Sequence, residues 1–167
     1  MSDKSNVILD HESINHKIRR MAYQIFESNV DEEEIILAGI AENGYLLAKK
    51  IKLVLSKISG KEITLCKVVI DKKNPRSAVK TSLKVEDYTN KSIVLVDDVL
   101  NSGTTLVYGV KHFLDVPLKR FKTAVLVNRN HKKYPVKADF KGLSLSTTIK
   151  EHITVDLEGK EHSAVLE

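Results

Sequence analysis

The chain of 167 residues has one cysteine, Cys66, three prolines, seven glycines and no tryptophan. A single thiol excludes an internal disulfide, and the six histidines show neither an HExxH spacing nor paired Cys/His ligands, so no metal site made by the protein alone is expected. There is no internal repeat, low-complexity tract or Pro/Gly-rich linker, which predicts one domain over residues 1–167. No apolar run reaches the length of a membrane span, and the polar start Met1-Ser2-Asp3-Lys4 lacks the apolar stretch of a signal peptide. A cytoplasmic protein with no membrane partner is the expectation. What is present is 42% hydrophobic residues, enough at this length to bury a core without a disulfide or metal.

The net charge of +5 suits an anionic ligand without choosing between nucleic acid and a small phosphorylated molecule. Its distribution is uneven. Residues 111–150 hold ten lysines and arginines against two acids, Asp115 and Asp139, which fits either an anion-binding surface or a solvated basic face.

From Asp10 to Asn29 apolar residues recur at three- and four-residue steps (Ile14, Ile18, Met21, Ala22, Ile25, Phe26), predicting an amphipathic helix with Arg19 and Arg20 largely off its apolar face. Residues 34–40 then read as a strand, Tyr45–Ile58 as a helix and 63–70 as a second strand. Residues 71–91 lose periodicity and collect Lys72, Lys73, Arg76 and Lys80, which predicts a long basic loop. Residues 92–96 are apolar and mostly β-branched, as in a strand covered on both faces. A helix from Thr104 to about Leu114 and a strand at Lys122–Val127 repeat the unit, so the class is α/β with a mainly parallel central sheet flanked by helices. The tail predicts a hairpin of Ile153–Leu157 and His162–Leu166 about Glu158-Gly159-Lys160.

The stretch Val96-Asp97-Asp98-Val99-Leu100-Asn101-Ser102-Gly103-Thr104-Thr105 lies where such sheets bind ligands, beyond the carboxyl end of a strand. A helix opening after Gly103 offers unpaired N–H groups to a phosphate, and Ser102, Thr104 and Thr105 add hydroxyls. Carboxylates aimed at a phosphate would repel it, so Asp97 and Asp98 are better used on sugar hydroxyls, and the two together suggest a phosphorylated ribose. The plainer alternative is a capped helix beside a turn with two acids. Neither a Walker loop nor a GxGxxG fingerprint is present.

The run Ile93 to Thr105 closely resembles the 5-phosphoribosyl 1-pyrophosphate signature of type I phosphoribosyltransferases. Ile8-Leu9-Asp10, the run Ala124 to His131 and the run Pro135 to Gly142 extend the resemblance over nearly the whole chain. They make it closest to the bifunctional pyrimidine operon attenuator and uracil phosphoribosyltransferase subfamily. The resemblance implies the type I fold, with a small hood and a flexible loop. It implies transfer of ribose 5-phosphate from 5-phosphoribosyl 1-pyrophosphate to a nucleobase, uracil first and a purine second, with Mg²⁺ bound mainly through the substrate. Asp97 and Asp98 would serve the ribose and the developing positive charge, and Asn101, Ser102, Gly103, Thr104 and Thr105 the 5-phosphate. The pyrophosphate loop would be Ala41, Glu42, Asn43 and Gly44, in which relatives usually carry a basic residue; Glu42 would oppose pyrophosphate there, with Lys72, Lys73, Arg76 or Lys80 compensating. The base would lie against Asn128, Arg129, Phe140 and Lys141. Phe140 would stack on the ring or serve the core, and Arg129 would face pyrophosphate or the base. A homo-oligomer, such as a dimer, is implied as well. So is an RNA surface drawing on Arg19, Arg20 and Tyr23 and on Ser146-Thr147-Thr148-Ile149-Lys150. Because of Glu42-Asn43, a non-catalytic ligand-sensing regulator of RNA or a protein partner stands as the alternative. A receiver-like domain fits poorly, because the acid pair runs straight into a phosphate-cradle turn.

Overall fold

The structure, a computed structural model, describes residues 6–148 and 150–167. The polar start and Ile149 lie outside the described residues.

In order, the elements are β1 (Asn6–Leu9), α1 (His11–Ser28), β2 (Glu34–Ile40), α2 (Asn43–Ser59), β3 (Glu62–Val69), β4 (Lys80–Thr81), α3 (Val85–Tyr88), β5 (Ser92–Leu100), α4 (Thr104–Phe113), β6 (Arg120–Arg129), β7 (Phe140–Leu145), β8 (Ile153–Asp156) and β9 (Ser163–Leu166). Six strands form the main sheet in the order β4-β3-β2-β5-β6-β7, parallel except for β4, which runs antiparallel to β3. A second, antiparallel sheet has the order β1-β9-β8 and forms the hood.

The apolar period of α1 buries Ile14, Ile18, Met21, Ala22 and Ile25, which pack with Leu47, Ile51 and Leu55 of α2 on one face of the main sheet. Asp10 caps α1, its Oδ1 accepting the Ser13 N–H at 2.8 Å, so the chain passes directly from the hood into the helix. Leu9, Val155, Leu157 and Ala164 join the same core, and this joins the hood to the α1/α2 layer. The opposite face holds Leu106 and Phe113 of α4 with Tyr88 of α3. The Tyr88 and Phe113 rings meet edge to face, with centroids 5.0 Å apart.

Several elements differ from those expected: α2 and β6 each extend beyond the expected bounds, and β7 had no expected counterpart. The stretch after β3 is not loop throughout, since β4 bridges to β3 and one turn of helix buries Tyr88. Elements of two and four residues are too short to leave a period. The central strand β5 continues through both aspartates to Leu100, paired with β6 up to Asn128. The tail hairpin forms, and β1 joins it as a third strand whose four residues carry no alternating signal.

The C-cap of α1 ties this layer to the central strand. Asn29 is fully buried; its Nδ2 donates to Ile25 O at 2.8 Å, and its Oδ1 accepts the Ser92 hydroxyl. Asn29→Ala leaves that buried hydroxyl without its acceptor, so we expect a loss of about 1–3 kcal/mol in denaturant unfolding with an unchanged slope. A midpoint equal to wild type would show the bond to be energetically idle.

Candidate active site

From β2 the chain crosses through α2 to β3 on one side, and from β5 it crosses through α4 to β6 on the other. Adjacent parallel strands whose connections leave in opposite directions open a crevice at their carboxyl ends, where α/β sheets bind ligands. Here a cleft opens at residues 97–106 at the end of β5, with Lys72, Val125 and Ile153 on its wall. Gly44 lets α2 rest on β5, since a Cβ there would lie 2.6 Å from Val96 O and 2.9 Å from Asp97 Cα.

Asp97 is only 5% exposed and Asp98 is half-buried. The Asp98 N–H donates to Asp97 Oδ1 and the Val99 N–H to Asp98 Oδ1, both at 2.8 Å. Asn43 Nδ2 donates to Asp98 Oδ2 and to the carbonyl of Val155 in β8, both at 3.0 Å. Burial drives the Asp97 carboxyl well above its ordinary range, the neighbouring Asp98 charge adds to the effect, and Lys72 partly offsets it.

The turn that follows is built for close approach. Gly103 has φ +87°, left-handed backbone that glycine adopts without strain, and it is the N-cap of α4. The amides that begin α4 have no acceptor within the helix, so they face the crevice with the positive end of the dipole. Ser102 Oγ bonds Thr104 Oγ1 at 2.8 Å, and Ser102 O accepts the Lys133 N–H at 2.7 Å. The resulting cleft encloses about 270 Å³, lined by residues 97–106 with Lys72, Val125 and Ile153.

Other expected site residues stand elsewhere. Glu42 is exposed and faces Lys67 at 3.8 Å, so its carboxylate is not on the cleft wall. Arg129 is buried and donates to Asn101 Oδ1 (2.8 Å), Thr147 Oγ1 (2.8 Å), Thr148 O (3.2 Å) and Glu151 O (2.7 Å). A buried guanidinium with four acceptors braces the turn at Asn101 against Thr147, Thr148 and Glu151 and does not line the cleft. Phe140 is 8% exposed and belongs to the core under α1, while the side chain of Lys141 is directed to solvent. Asn128 is buried, its Nδ2 reaching Ser144 Oγ at 3.4 Å and its Oδ1 having no acceptor–donor contact among the described residues. Of the four loop cations named as candidates, Lys72 lines the cleft. Ile153, from the hood, was not legible as a site residue: it comes to the acids from the far end of the chain. Among the described residues no group of three or more potential metal ligands occurs, and no helix is long and apolar enough to cross a membrane.

A family profile described as "Phosphoribosyl transferase domain" matches residues 5–160. The chain belongs to the phosphoribosyltransferase family. Among similar proteins is "Bifunctional protein PyrR" of Fusobacterium nucleatum, 34% identical over 99% of this chain and 100% of that one. The protein of the same name from Streptococcus mutans is also 34% identical, over 92% and 89%. In fold, the chain is similar to the hypoxanthine phosphoribosyltransferase of Trypanosoma cruzi, with a TM-score of 0.77 at 14% identity, covering 96% of this chain and 95% of that one. The "hypoxanthine-guanine phosphoribosyltransferase (hpt-2)" of Bacillus anthracis gives 0.72 at 20% identity, covering 87% and 84%. The protein is thus a phosphoribosyltransferase, an enzyme of the pentosyltransferase class, in a PyrR-like subfamily with the type I fold.

In the free phosphoribosyltransferase Asp97 binds its proton more tightly folded than unfolded. Its contribution to stability is therefore complete below the ordinary carboxylate pKa of about 4 and is lost as pH rises through the raised folded value. Asp97→Asn removes this titration. The ligand-free variant should be more stable than wild type at pH 7, with the advantage shrinking towards pH 4 in denaturant unfolding. A difference independent of pH would contradict the assignment.

Proposed function

We propose that the enzyme transfers ribose 5-phosphate from 5-phosphoribosyl 1-pyrophosphate to a nucleobase, uracil in the first place and a purine in the second, releasing pyrophosphate. The observation that carries this is the juxtaposition, in one cleft, of the Asp97–Asp98 pair with the Gly103 turn and the start of α4. The 5-phosphate lies over residues 101–105, bound by main-chain amides and by the Ser102, Thr104 and Thr105 hydroxyls. The diol faces the carboxylates. As the bond from the anomeric carbon to pyrophosphate breaks and that to the ring nitrogen forms, positive charge develops on the ribose, and Asp97 and Asp98 stabilise it.

Mg²⁺ suits this arrangement. The proton affinity of Asp97 marks a carboxylate pair whose joint ionisation a cation would relieve, and oxygen donors are what a hard ion takes. Asp97 and Asp98 would hold it largely through the substrate; when bound it supplies charge to the departing pyrophosphate. On the chain itself Lys72 is the cation at the cleft, and it takes the part that the resemblance gives to a basic residue in the loop at residues 41–44. The base would enter beside Ile153 of the hood; Asn128, the base reader the sequence suggests, is buried at the end of β6 and is not on the cleft wall. The single domain, a cytoplasmic location and a homo-oligomer remain parts of this reading that rest on the sequence.

A second reading, contact with RNA, has its own observation. A groove of about 530 Å³ between α1 and α2 is lined by Ile18, Leu53, Val54 and Ile58 together with Arg19, Lys50 and Lys57. Arg19 lies over the exposed Tyr23 ring at 5.9 Å. Arg20, also exposed, donates from one guanidinium nitrogen to Lys141 O and Gly142 O at 2.7 and 2.8 Å. If RNA binds here, Arg19→Ala and Lys57→Ala should each lower the salt slope of binding by about one. An unchanged slope in both removes the groove from consideration.

For the enzyme, the deciding assay is pyrophosphate release with Mg²⁺ against uracil, guanine, hypoxanthine, xanthine and adenine. Turnover with one base identifies the acceptor; none with any would refute the reading. Asp97→Asn combined with Asp98→Asn should cut kcat/KM at least about a hundredfold with the fold retained. Lys72→Ala should raise KM for the phosphoribosyl donor by about tenfold, whereas Glu42→Lys changes little, since Glu42 points away. A large gain from Glu42→Lys would place that side chain back at the pyrophosphate.

A further inference from the structure

The site carries a contact that the proposed reaction does not by itself require. Asn43 is the first residue of α2, at the position flanking the turn after β2, and it spends both hydrogens of one amide nitrogen. One goes to Asp98 Oδ2, the other to the carbonyl of Val155, a core residue of hood strand β8. The acid pair and the hood belong to different sheets, and this side chain bonds both.

We propose that Asn43 is a positioning residue which fixes Asp98 for the phosphoribosyl donor and couples occupancy of the acid pair to the hood. The inference rests on the function proposed above. With Asp98 Oδ1 held by the Val99 N–H and Oδ2 by Asn43, the carboxylate plane is set at both oxygens. A lysine or arginine at residue 43 would neutralise Asp98. An amide orients it and leaves its whole negative charge for the ribose diol or the accompanying cation. Any shift of Asp98 towards a ligand acts on an amide that also holds Val155 O, so β8 responds to ligand. Gly44, the next residue, lets α2 come close to β5, where a Cβ would lie 2.6 Å from Val96 O, and this brings Asn43 beside Asp98.

The test compares Asn43→Ala with Asn43→Asp in the full chain. Aspartate has the shape of asparagine and, in the first turn of a helix, suits the dipole, so a merely structural role predicts Asn43→Asp to be neutral or stabilising. Donation to Asp98 predicts the reverse, because a carboxylate replaces the donor and faces both another carboxylate and a carbonyl. We expect Asn43→Ala to raise KM for Mg²⁺-phosphoribosyl pyrophosphate by about tenfold and Asn43→Asp by more, with kcat changed less, and the melting temperature to fall further in Asn43→Asp than in Asn43→Ala. In hydrogen exchange, Mg²⁺-phosphoribosyl pyrophosphate should slow exchange in residues 153–156 of wild type and fail to do so in Asn43→Asp at saturating ligand. Wild-type KM and a wild-type β8 response in Asn43→Asp would overturn the inference while leaving the enzymatic reading standing. If wild type binds the donor without turnover, the enzymatic reading fails, and binding and exchange in the variants still decide the role of Asn43. If wild type does not bind the donor, both fall.

Discussion

Two ionised carboxylates on consecutive residues repel each other, and the first of them, Asp97, is also cut off from water at the end of a strand covered on both faces. Desolvation and like charge act in the same direction on it. The surroundings answer with oriented donors: the Asp98 and Val99 amides, the Asn43 amide and, at longer range, Lys72. The amides hold the pair in place without neutralising it, and Lys72 offsets its charge only in part. A site that destabilises the empty protein in this way keeps its charge available for the molecule that fills it.

The rest of the fold positions the partners of that pair. Reversal of strand order between β2 and β5 brings two loops together from opposite directions, one beginning α2 and the other α4. The Gly44 contact brings α2 down onto β5, and Arg129 braces the turn before α4 through Asn101. The hood closes the third side because β1 leads into α1 through Asp10 and because Val155 and Ala164 share the α1/α2 core. Loops at a sheet edge thereby gain the fixed geometry that electrostatic stabilisation requires.

Much of this was legible in the chain. The three-and-four spacing of α1, the β-branched run of β5 and the turn Ser102-Gly103-Thr104 are local signals, each set by the conformational needs of its own few residues. The aspartate pair stood out because buried strands rarely carry two acids. The residues around the base side were harder to read. Arg129 and Phe140 belong to motif-like runs, yet one is a buried brace and the other a core ring. Side-chain chemistry alone cannot distinguish a residue facing a cleft from one facing a helix one pleat away.

By itself, the sequence determined the alternation of strands and helices and the glycine turn that opens α4 after the acid pair, because each depends on periodicity or on glycine at one position. Only the tertiary structure decided that Asn43 reaches Asp98 and Val155, that Lys72 is the loop cation at the cleft, and that Glu42 turns away to Lys67. Those contacts join residues up to 112 positions apart. Their physical origin is the packing of α2 on β5 and of the hood on α1, which no window of the chain contains.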